Sequence, residues 1–198
     1  MKLNRNPKTI EEYNLHKDQD ERFRLVFAKR IWFEANEIPF EYENETGGSD
    51  IKYTTTNTIA RYALRNSSYY FTKDAYELSK HLLVEYSSRA KYWQIRNEKG
   101  KKLTTNEHPI PCNYLWTLIK NEVKENGSIS LERVTEILNM GNHIVVCTQD
   151  ENKLLVKNGL QSTMPEGWEP GDDPFARYKV CGIELHSELI KVFGGLKR

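Results

Sequence analysis

Two short extended runs, each bordered by polar residues, constrain the fold of this chain more than any other feature. The first run, 103–108, is rich in threonine and ends in Glu-His ahead of two prolines. The second run, 143–148, is β-branched and apolar, and it leads directly into a polar segment. A short apolar run of this kind indicates a buried strand, and the polar segment after it indicates the start of a helix. Residues 103–157 are therefore predicted to form two strands and a helix around one small site.

Capping residues predict a helical hairpin between these two strands. Asn113 is placed to cap a first helix that ends near Gly127, and Ser130 is placed to cap a second helix that ends at Gly141. Apolar spacing predicts further elements. They are helices at 9–36, after Asn57, from Thr72 to Tyr86, at 175–182 and at 184–193, with an ordered Pro- and Gly-rich loop at 162–174 held by Trp168.

Composition places the chain among soluble globular proteins. Hydrophobic residues make up 38% of its 198 residues, charged residues 29%, and the net charge of +1 produces no overall field that marks a nucleic-acid binder. No apolar run approaches the roughly 20 residues that span a bilayer, and the N-terminus is not a signal peptide. The three cysteines, Cys112, Cys147 and Cys181, are far apart, which predicts buried thiols rather than disulfides or a structural zinc site. We therefore expect a cytoplasmic protein with no membrane partner.

The fold class predicted from these patterns is α+β, mainly helical with a small antiparallel sheet. Residues 1–91 are predicted to be a helical, aromatic-rich region that binds substrate or a partner. Residues 92–158 are predicted to hold the two strands and the helix, with the helical hairpin inserted between the strands. Residues 159–198 are predicted to form the C-terminal loop and the closing helices.

Cations lie among aromatic residues in one stretch and among strand residues in another. The candidate nucleic-acid contacts are Arg61, Arg65, Tyr69, Tyr70, Arg89, Lys91, Arg96, Lys99, Lys101 and Lys102. Such surfaces can contact phosphates and stack bases. A basic hairpin formed by residues 92–102 would adjoin Glu107 and His108, and this placement would suit a polyanionic substrate. The alternative is that the tyrosines are half-buried and the cations are merely solvated.

The residue types at the strand ends are those needed for phosphodiester hydrolysis. A neutral histidine such as His108 can take a proton from water near pH 7. Oxygen ligands from Glu107 and from Asp150, Glu151 or Asn152 would suit a hard cation such as Mg²⁺. A metal that stabilises the phosphate, with a histidine that activates water, is sufficient for the reaction.

Three short motifs resemble the HNH nuclease family, also called His-Me finger or ββα-metal. They are Glu107-His108-Pro-Ile-Pro111, Asn142-His-Ile-Val-Val-Cys147 and Glu151-Asn152-Lys153. The resemblance implies a ββα-metal-like core in which His108 is the general base, Glu107 is a metal ligand, and Asn142 fastens the loop that aims His108. It implies Asn152 as the second metal ligand or, because Asn152 lies about one position late, Glu151. The family more often has Asp where Glu107 stands, and its two strands are joined by a shorter connection.

The function implied by this resemblance is Mg²⁺-dependent hydrolysis of nucleic acid, DNA in preference to RNA. A restriction or phage-defence role and a homodimer would fit such an enzyme. One alternative is a metal-free, toxin-like ribonuclease in which His108 and Glu107 act as acid and base. A second is a non-enzymatic module that binds nucleic acid or protein through residues 61–70. A third needs no chemistry, because a polar strand end and acidic residues at a helix start are ordinary structural features.

Overall fold

The chain folds as an α+β protein, here described from a computed structural model that covers residues 10–38, 48–63, 68–80, 95–187 and 190–191. The helices are α1 (Ile10–Glu37), α2 (Gly48–Ala63), α3 (Lys73–Ser79), α4 (Cys112–Asn126), α5 (Leu131–Met140), α6 (Gln149–Lys157) and α7 (Ala176–Val180). The strands are β1 (Ser68–Phe71), β2 (Thr104–Glu107), β3 (Ile144–Thr148) and the two-residue β4 (Ile190–Lys191). No helix within these ranges has the length and apolarity that crossing a membrane requires.

The sheet is mixed, so the prediction of an antiparallel sheet is wrong in part. β2 pairs antiparallel with β3, while β1 pairs parallel with the other edge of β3 and carries β4 at its outer edge. β1 also lies in a region that was predicted to be helical. Its Ser-Tyr-Tyr-Phe sequence is rich in the aromatic residues that favour a half-buried strand, and pairing with β3 decides its conformation.

The central strand β3 is covered on both faces, which explains its continuous apolar sequence. Ile144 and Val146 pack with Tyr69, Phe71 and Ala75 on the face that carries α3. On the opposite face, the cluster around Val145 contains Leu155 of α6, Tyr178 of α7, Leu160 and Ile183. Because the strand is buried on both sides, it lacks the alternation of apolar and polar residues that marks a strand with one solvated face.

Four helices, α1, α2, α4 and α5, form a second core beside the sheet. Its largest fully buried side chains include Trp116 and Ile119 of α4, Ile31 of α1, Ile59 of α2 and Ile137 of α5. The predicted helical hairpin between the strands is confirmed as α4 and α5. Ser130 caps α5 through a bond from the Arg133 N–H, and Gly127 ends α4 in the left-handed conformation that favours glycine.

Several predicted boundaries need correction. Asn57 lies inside α2 rather than at its start, and α4 begins after Pro111 rather than Asn113. Thr72 does cap α3, and the predicted continuation of that helix towards Tyr86 lies outside the described residues. The helix predicted at 184–193 is wrong where the chain is described, because Leu185 bridges to Thr72 and β4 follows. Sheet edges bind extended chain through backbone hydrogen bonds, and this pairing overrides the local helical pattern.

The loop at 162–174 is ordered as predicted. Trp168 is buried, and its indole Nε1 donates to the carbonyl oxygen of Asp173 at 2.9 Å. Trp168 and Met164 both pack into the core formed by the four helices. The loop therefore joins the helical core to α7 on the sheet.

Candidate functional site

The strand β2 carries Glu107 and His108 to the wall of an open cleft of about 400 Å³. The cleft lies between this end of β2, one side of α2, the start of α4 and the turn that follows α6. Its lining residues are Tyr53, Thr56, Asn57, Ala60, Glu107, His108, Pro111, Cys112, Asn113, Gln161, Ser162 and Arg177. The acid and the histidine predicted from the sequence therefore meet in one concavity.

Arg177 is fully buried beneath this cleft and fixes its floor. Its Nε donates to the carbonyl oxygen of Pro109 at 2.9 Å, and its Nη2 donates to that of His108. Its Nη1 donates to the carbonyl oxygens of Leu160 and Gln161. A guanidinium presents five donors in a rigid plane, so one side chain joins the segment after β2 to the turn after α6.

Glu107 lies beside this cation in a mostly buried position. Its Oε2 is 3.8 Å from Nη2 of Arg177, and its side chain is 19% exposed. Burial raises the pKa of Glu107 above its ordinary value, and the charge of Arg177 opposes that effect. Glu107 is thus a carboxyl group that is reachable from the cleft and has a raised affinity for protons.

The pKa of His108 is displaced in the opposite direction to that of Glu107. Burial, aided by the positive charge of Arg177, lowers the pKa of His108 to about 4. Its Nδ1 is buried and has no hydrogen-bond partner among the described residues. The imidazole is therefore neutral at pH 7, which is the state that can accept a proton.

Asn142 lies at the same end of the sheet as His108. Glu107 pairs with Val145 across the antiparallel β2 and β3 strands, so residues just before β3 adjoin residues just after β2. Asn142 follows α5, where its N–H donates to the carbonyl oxygen of Asn139 at 3.2 Å. The predicted loop-fastening residue and the predicted base thus lie at one end of the sheet.

Glu151 lies at the other end of the sheet and serves as a helix cap. Its Oε2 accepts hydrogen bonds from the backbone N–H of Thr148 and from Oγ1 of Thr72, both at 2.7 Å. The Thr148 side chain in turn accepts from the N–H of Glu151, which completes a capping box. The structure therefore does not bring the Glu151 carboxylate to the cleft.

Asn152 is placed differently from its neighbour Glu151. Gln149, three residues earlier on the same side of α6, donates from Nε2 to the carbonyl oxygen of Thr104 in β2. Asn152 therefore lies on the β2 side of α6, and its Oδ1 is buried without a hydrogen-bond partner among the described residues. Glu107 lies on the same face of the sheet, because its register partner Val145 packs against Leu155 of α6.

The predicted basic hairpin is present from residue 95 onward, while residues 92–94 lie outside the described residues, and its position differs from the predicted one. Arg96 bridges to Lys102 around a turn at Gly100, and the cations of this turn are exposed. The turn precedes β2, whereas His108 follows it. Four strand residues, roughly 13 Å, separate the two ends, so the expected contact of the hairpin with Glu107 and His108 is wrong. The exposed cations on the turn are Arg96, Lys99, Lys101 and Lys102.

The predicted tyrosine and arginine surface is only partly supported. Tyr69 is fully buried in the sheet core, so its assignment as a nucleic-acid contact is wrong. Tyr70 packs edge-on against Phe175 and His143, with ring centroids 4.7 and 5.4 Å away. Arg61 is exposed. Arg65, Arg89 and Lys91 lie outside the described residues.

The three cysteines are free thiols, but only Cys147 is buried; Cys112 and Cys181 are partly exposed, so the prediction of buried thiols holds for one of the three. Burial raises the pKa of Cys112 to about 12, and it raises the pKa of Cys147 further. A thiol needs to ionise to act as a nucleophile or a metal ligand. Cys112 lines the cleft but is therefore inert at neutral pH.

Sequence reasoning missed Arg177 and the wall formed by α2. Arg177 stands in the segment Pro174-Phe-Ala-Arg-Tyr178, where a charged residue among aromatic and apolar neighbours is the single local signal of burial. Its bonding partners are 68 and 17 residues away along the chain, and no spacing rule connects them. The residues of α2 that line the cleft carry no local sequence signal that places them there.

Glu107 and Asn152 carry a carboxylate and an amide oxygen, which are ligand types that Mg²⁺ prefers. Glu107 lines the cleft, whereas Asn152 is not among its lining residues. Over the described ranges, no group of three or more His, Cys, Asp or Glu residues is arranged to hold a metal ion. No family model, curated protein or solved structure matches this chain.

Proposed function

We propose that this protein is a divalent-metal-dependent nuclease that hydrolyses phosphodiester bonds at the Glu107–His108 cleft. The observation that carries the proposal is that a mostly buried carboxyl group and a neutral histidine, adjacent in sequence, line the same open cleft. An acid and a base with pKa values displaced in opposite directions are typical of a catalytic pair.

The order of elements supports a ββα-metal-like core. Two antiparallel strands, β2 and β3, are followed at once by α6, which covers the face that carries Glu107. The connection between the strands is the α4–α5 hairpin. In this arrangement the strand end supplies Glu107 and His108, the start of β3 supplies Asn142, and the helix supplies Asn152.

The protein groups have separate roles in the proposed reaction. His108 takes a proton from the attacking water, and it is neutral and able to do so at pH 7. Arg177 holds the carbonyl oxygen of His108 and so fixes the backbone from which the imidazole extends. Asn142 fastens the neighbouring loop. Precise positioning of this kind accounts for a large part of rate enhancement in many enzymes.

Glu107 and Asn152 are the residues that would hold the metal. When bound, Mg²⁺ would stabilise the charge that develops on the phosphate and on its leaving oxygen. Glu151 is excluded from our ligand set because both Thr148 and Thr72 bind its carboxylate at the far end of the sheet. The preferred substrate in this proposal is DNA, and the biological role is cytoplasmic restriction or phage defence by a monomer or a homodimer.

A metal-free ribonuclease is a second candidate, and one observation favours it. The raised pKa of Glu107 suits a general acid that works without a metal, and His108 beside it is neutral, as a general base must be before it accepts a proton. In such an enzyme His108 would deprotonate the ribose 2′-hydroxyl and Glu107 would protonate the leaving oxygen. The two candidates differ in their requirement for metal and for the 2′-hydroxyl.

One experiment tests both candidates. Purified protein is incubated with plasmid DNA or total RNA in Mg²⁺, Mn²⁺ or EDTA, beside His108→Ala and the control His186→Ala, a histidine of similar exposure that stacks on Tyr76. We expect cutting that needs metal, is lost by about 100-fold or more in His108→Ala, and survives in the control. RNA cutting in EDTA would support the ribonuclease instead, and cutting by His108→Ala at the wild-type rate would reject both.

A further inference from the structure

We propose that the cleft receives a single unstacked nucleotide, with its base against Tyr53, so that the substrate is single-stranded or locally unpaired nucleic acid. This inference rests on the proposed function, because it assigns the substrate class of the same site. It arises from the wall that α2 contributes opposite Glu107 and His108.

The cleft has the size and concavity of a small-ligand site. Its volume of about 400 Å³ lies towards the lower end of the range for ligand pockets, roughly 300–1,000 Å³. One wall is a single stripe of α2, since Tyr53, Thr56, Asn57 and Ala60 follow the spacing that places residues on one side of a helix. The opposite wall holds Glu107 and His108. A nucleotide between the two walls would have its phosphate beside the proposed general base.

Tyr53 supplies a stacking surface on the α2 wall. It is 69% exposed, more than the other large hydrophobic and aromatic side chains recorded as exposed in the described part of the chain. Aromatic side chains that project into a groove are the usual platforms on which single-stranded nucleic acids stack their bases. Ala60, two turns further along the stripe, has a small side chain that leaves space in the cleft.

Most of the remaining lining is uncharged and can form hydrogen bonds. Asn57, Asn113 and Gln161 each carry an amide that offers both donors and acceptors, as the edges of bases require. Among the described residues that line the cleft, Arg177 is the cation, and its N–H groups already bind four carbonyl oxygens. The cleft is therefore suited to hold a base rather than to grip a run of phosphates.

A base that is stacked and paired enters such a cleft less readily than an unpaired base. Enzymes that reach a base within a duplex must first unstack and unpair it. Because the cleft has room for about one nucleotide, a strand that is already single should bind more tightly than a duplex of the same sequence. The preference arises from base access, so it should apply to DNA and RNA alike.

Binding in EDTA tests this inference without any cleavage step. Fluorescence anisotropy is measured with labelled oligonucleotides of one sequence as single-stranded DNA, single-stranded RNA and duplex DNA. The proteins are the wild type, Tyr53→Ala, Tyr53→Phe and the control Phe33→Ala, which removes an aromatic ring that is 56% exposed on α1. Circular dichroism of each variant verifies that the helices remain folded.

We expect the single strands to bind more tightly than the duplex, and Tyr53→Ala to weaken single-strand binding by about fivefold or more. Tyr53→Phe, which keeps the ring, and Phe33→Ala should stay within about twofold of the wild type. Equal binding of single strand and duplex, or unchanged binding by a folded Tyr53→Ala, would overturn the inference even if the protein cuts DNA. The expected binding pattern without any cutting would instead uphold the base site and reject the nuclease proposal.

Discussion

The fully buried guanidinium of Arg177 lies 3.8 Å from the carboxylate of Glu107, and both residues line the open cleft. The same guanidinium binds the carbonyl oxygens of the next two residues, His108 and Pro109. One cation thus holds three consecutive residues at the end of β2. This relationship holds the backbone of the proposed site in place, whereas burial is the main cause of the opposite pKa displacements of Glu107 and His108.

Loss of the Arg177 guanidinium should destabilise the whole fold. Arg177→Met would leave four carbonyl oxygens without their donor and a mostly buried carboxylate without its counter-ion. Breaking a buried pair by removing one partner typically costs about 3–5 kcal/mol. The free energy of unfolding, measured in urea, should fall by this amount.

A neighbouring cation provides the matched control for Arg177. Lys179 is exposed, and its ammonium group pairs with Asp173 at 2.6 Å. Exposed ion pairs contribute about 0–1 kcal/mol, so Lys179→Met should have almost no effect on stability. Similar losses in the two variants would mean that Arg177 does not hold the end of β2 as described.

The lowered pKa of His108 predicts acid sensitivity of the fold. The group has a pKa of about 4 in the folded protein and 6.5 as its ordinary value, so between these values the unfolded chain binds more protons. The contribution of His108 to stability is complete above pH 6.5 and is lost as the pH falls towards 4. Between pH 7.5 and pH 5 this loss is about 2 kcal/mol.

The variant His108→Gln removes this titrating group, so its comparison with the wild type isolates the pH-dependent contribution of His108 to stability. The raised pKa of Glu107 has the opposite effect, because a folded state that holds its proton more tightly gains stability in acid. This second effect is present in both proteins and cancels when they are compared. Denaturant unfolding at pH 7.5 and pH 5 should show a larger loss in the wild type, and parallel losses would contradict the assignment.

Substitutions of the neighbouring residues Glu151 and Asn152 should have different effects on stability and on the requirement for metal. Glu151→Ala removes the capping box and the bond from Thr72, and should lower stability by about 1–2 kcal/mol without a change in metal requirement. Asn152→Ala should leave stability nearly unchanged and raise the Mg²⁺ concentration for half-maximal cutting by about tenfold or more. The cleavage rate of each variant, measured against Mg²⁺ concentration, distinguishes these two expected results. A change in metal requirement with Glu151→Ala alone would restore Glu151 as the ligand.

The sequence predicts most of the helices because their signals are local. Ser130 and Gly127 specify helix ends through bonds to residues three or four positions away, and apolar spacing specifies the buried sides of α4 and α5. The buried strand β3 and the helix α6 were predicted for the same reason. The parallel pairing of β1 with β3 was not predicted, because it joins residues about 75 positions apart and leaves no pattern in either segment.

The same difference between local signals and long-range contacts applies to the candidate site. Glu107 and His108 were predicted because they are adjacent in sequence and end a strand. Arg177 and Tyr53 were not predicted, because each reaches the cleft from a distant segment of the chain. Tyr69 was assigned to a binding surface because tyrosine alone does not indicate which face of a strand is buried. Contact across the fold, rather than residue type, decides these assignments.

Chemical rescue of His108 most directly tests the central claim that this imidazole activates the attacking water. The variant His108→Gly keeps the backbone carbonyl that Arg177 binds and removes only the ring. The rate of Mg²⁺-dependent cleavage is measured for the wild type and for the variant, with and without added imidazole. We predict a loss of about 100-fold or more that imidazole partly restores. A variant that cuts at the wild-type rate would contradict the account.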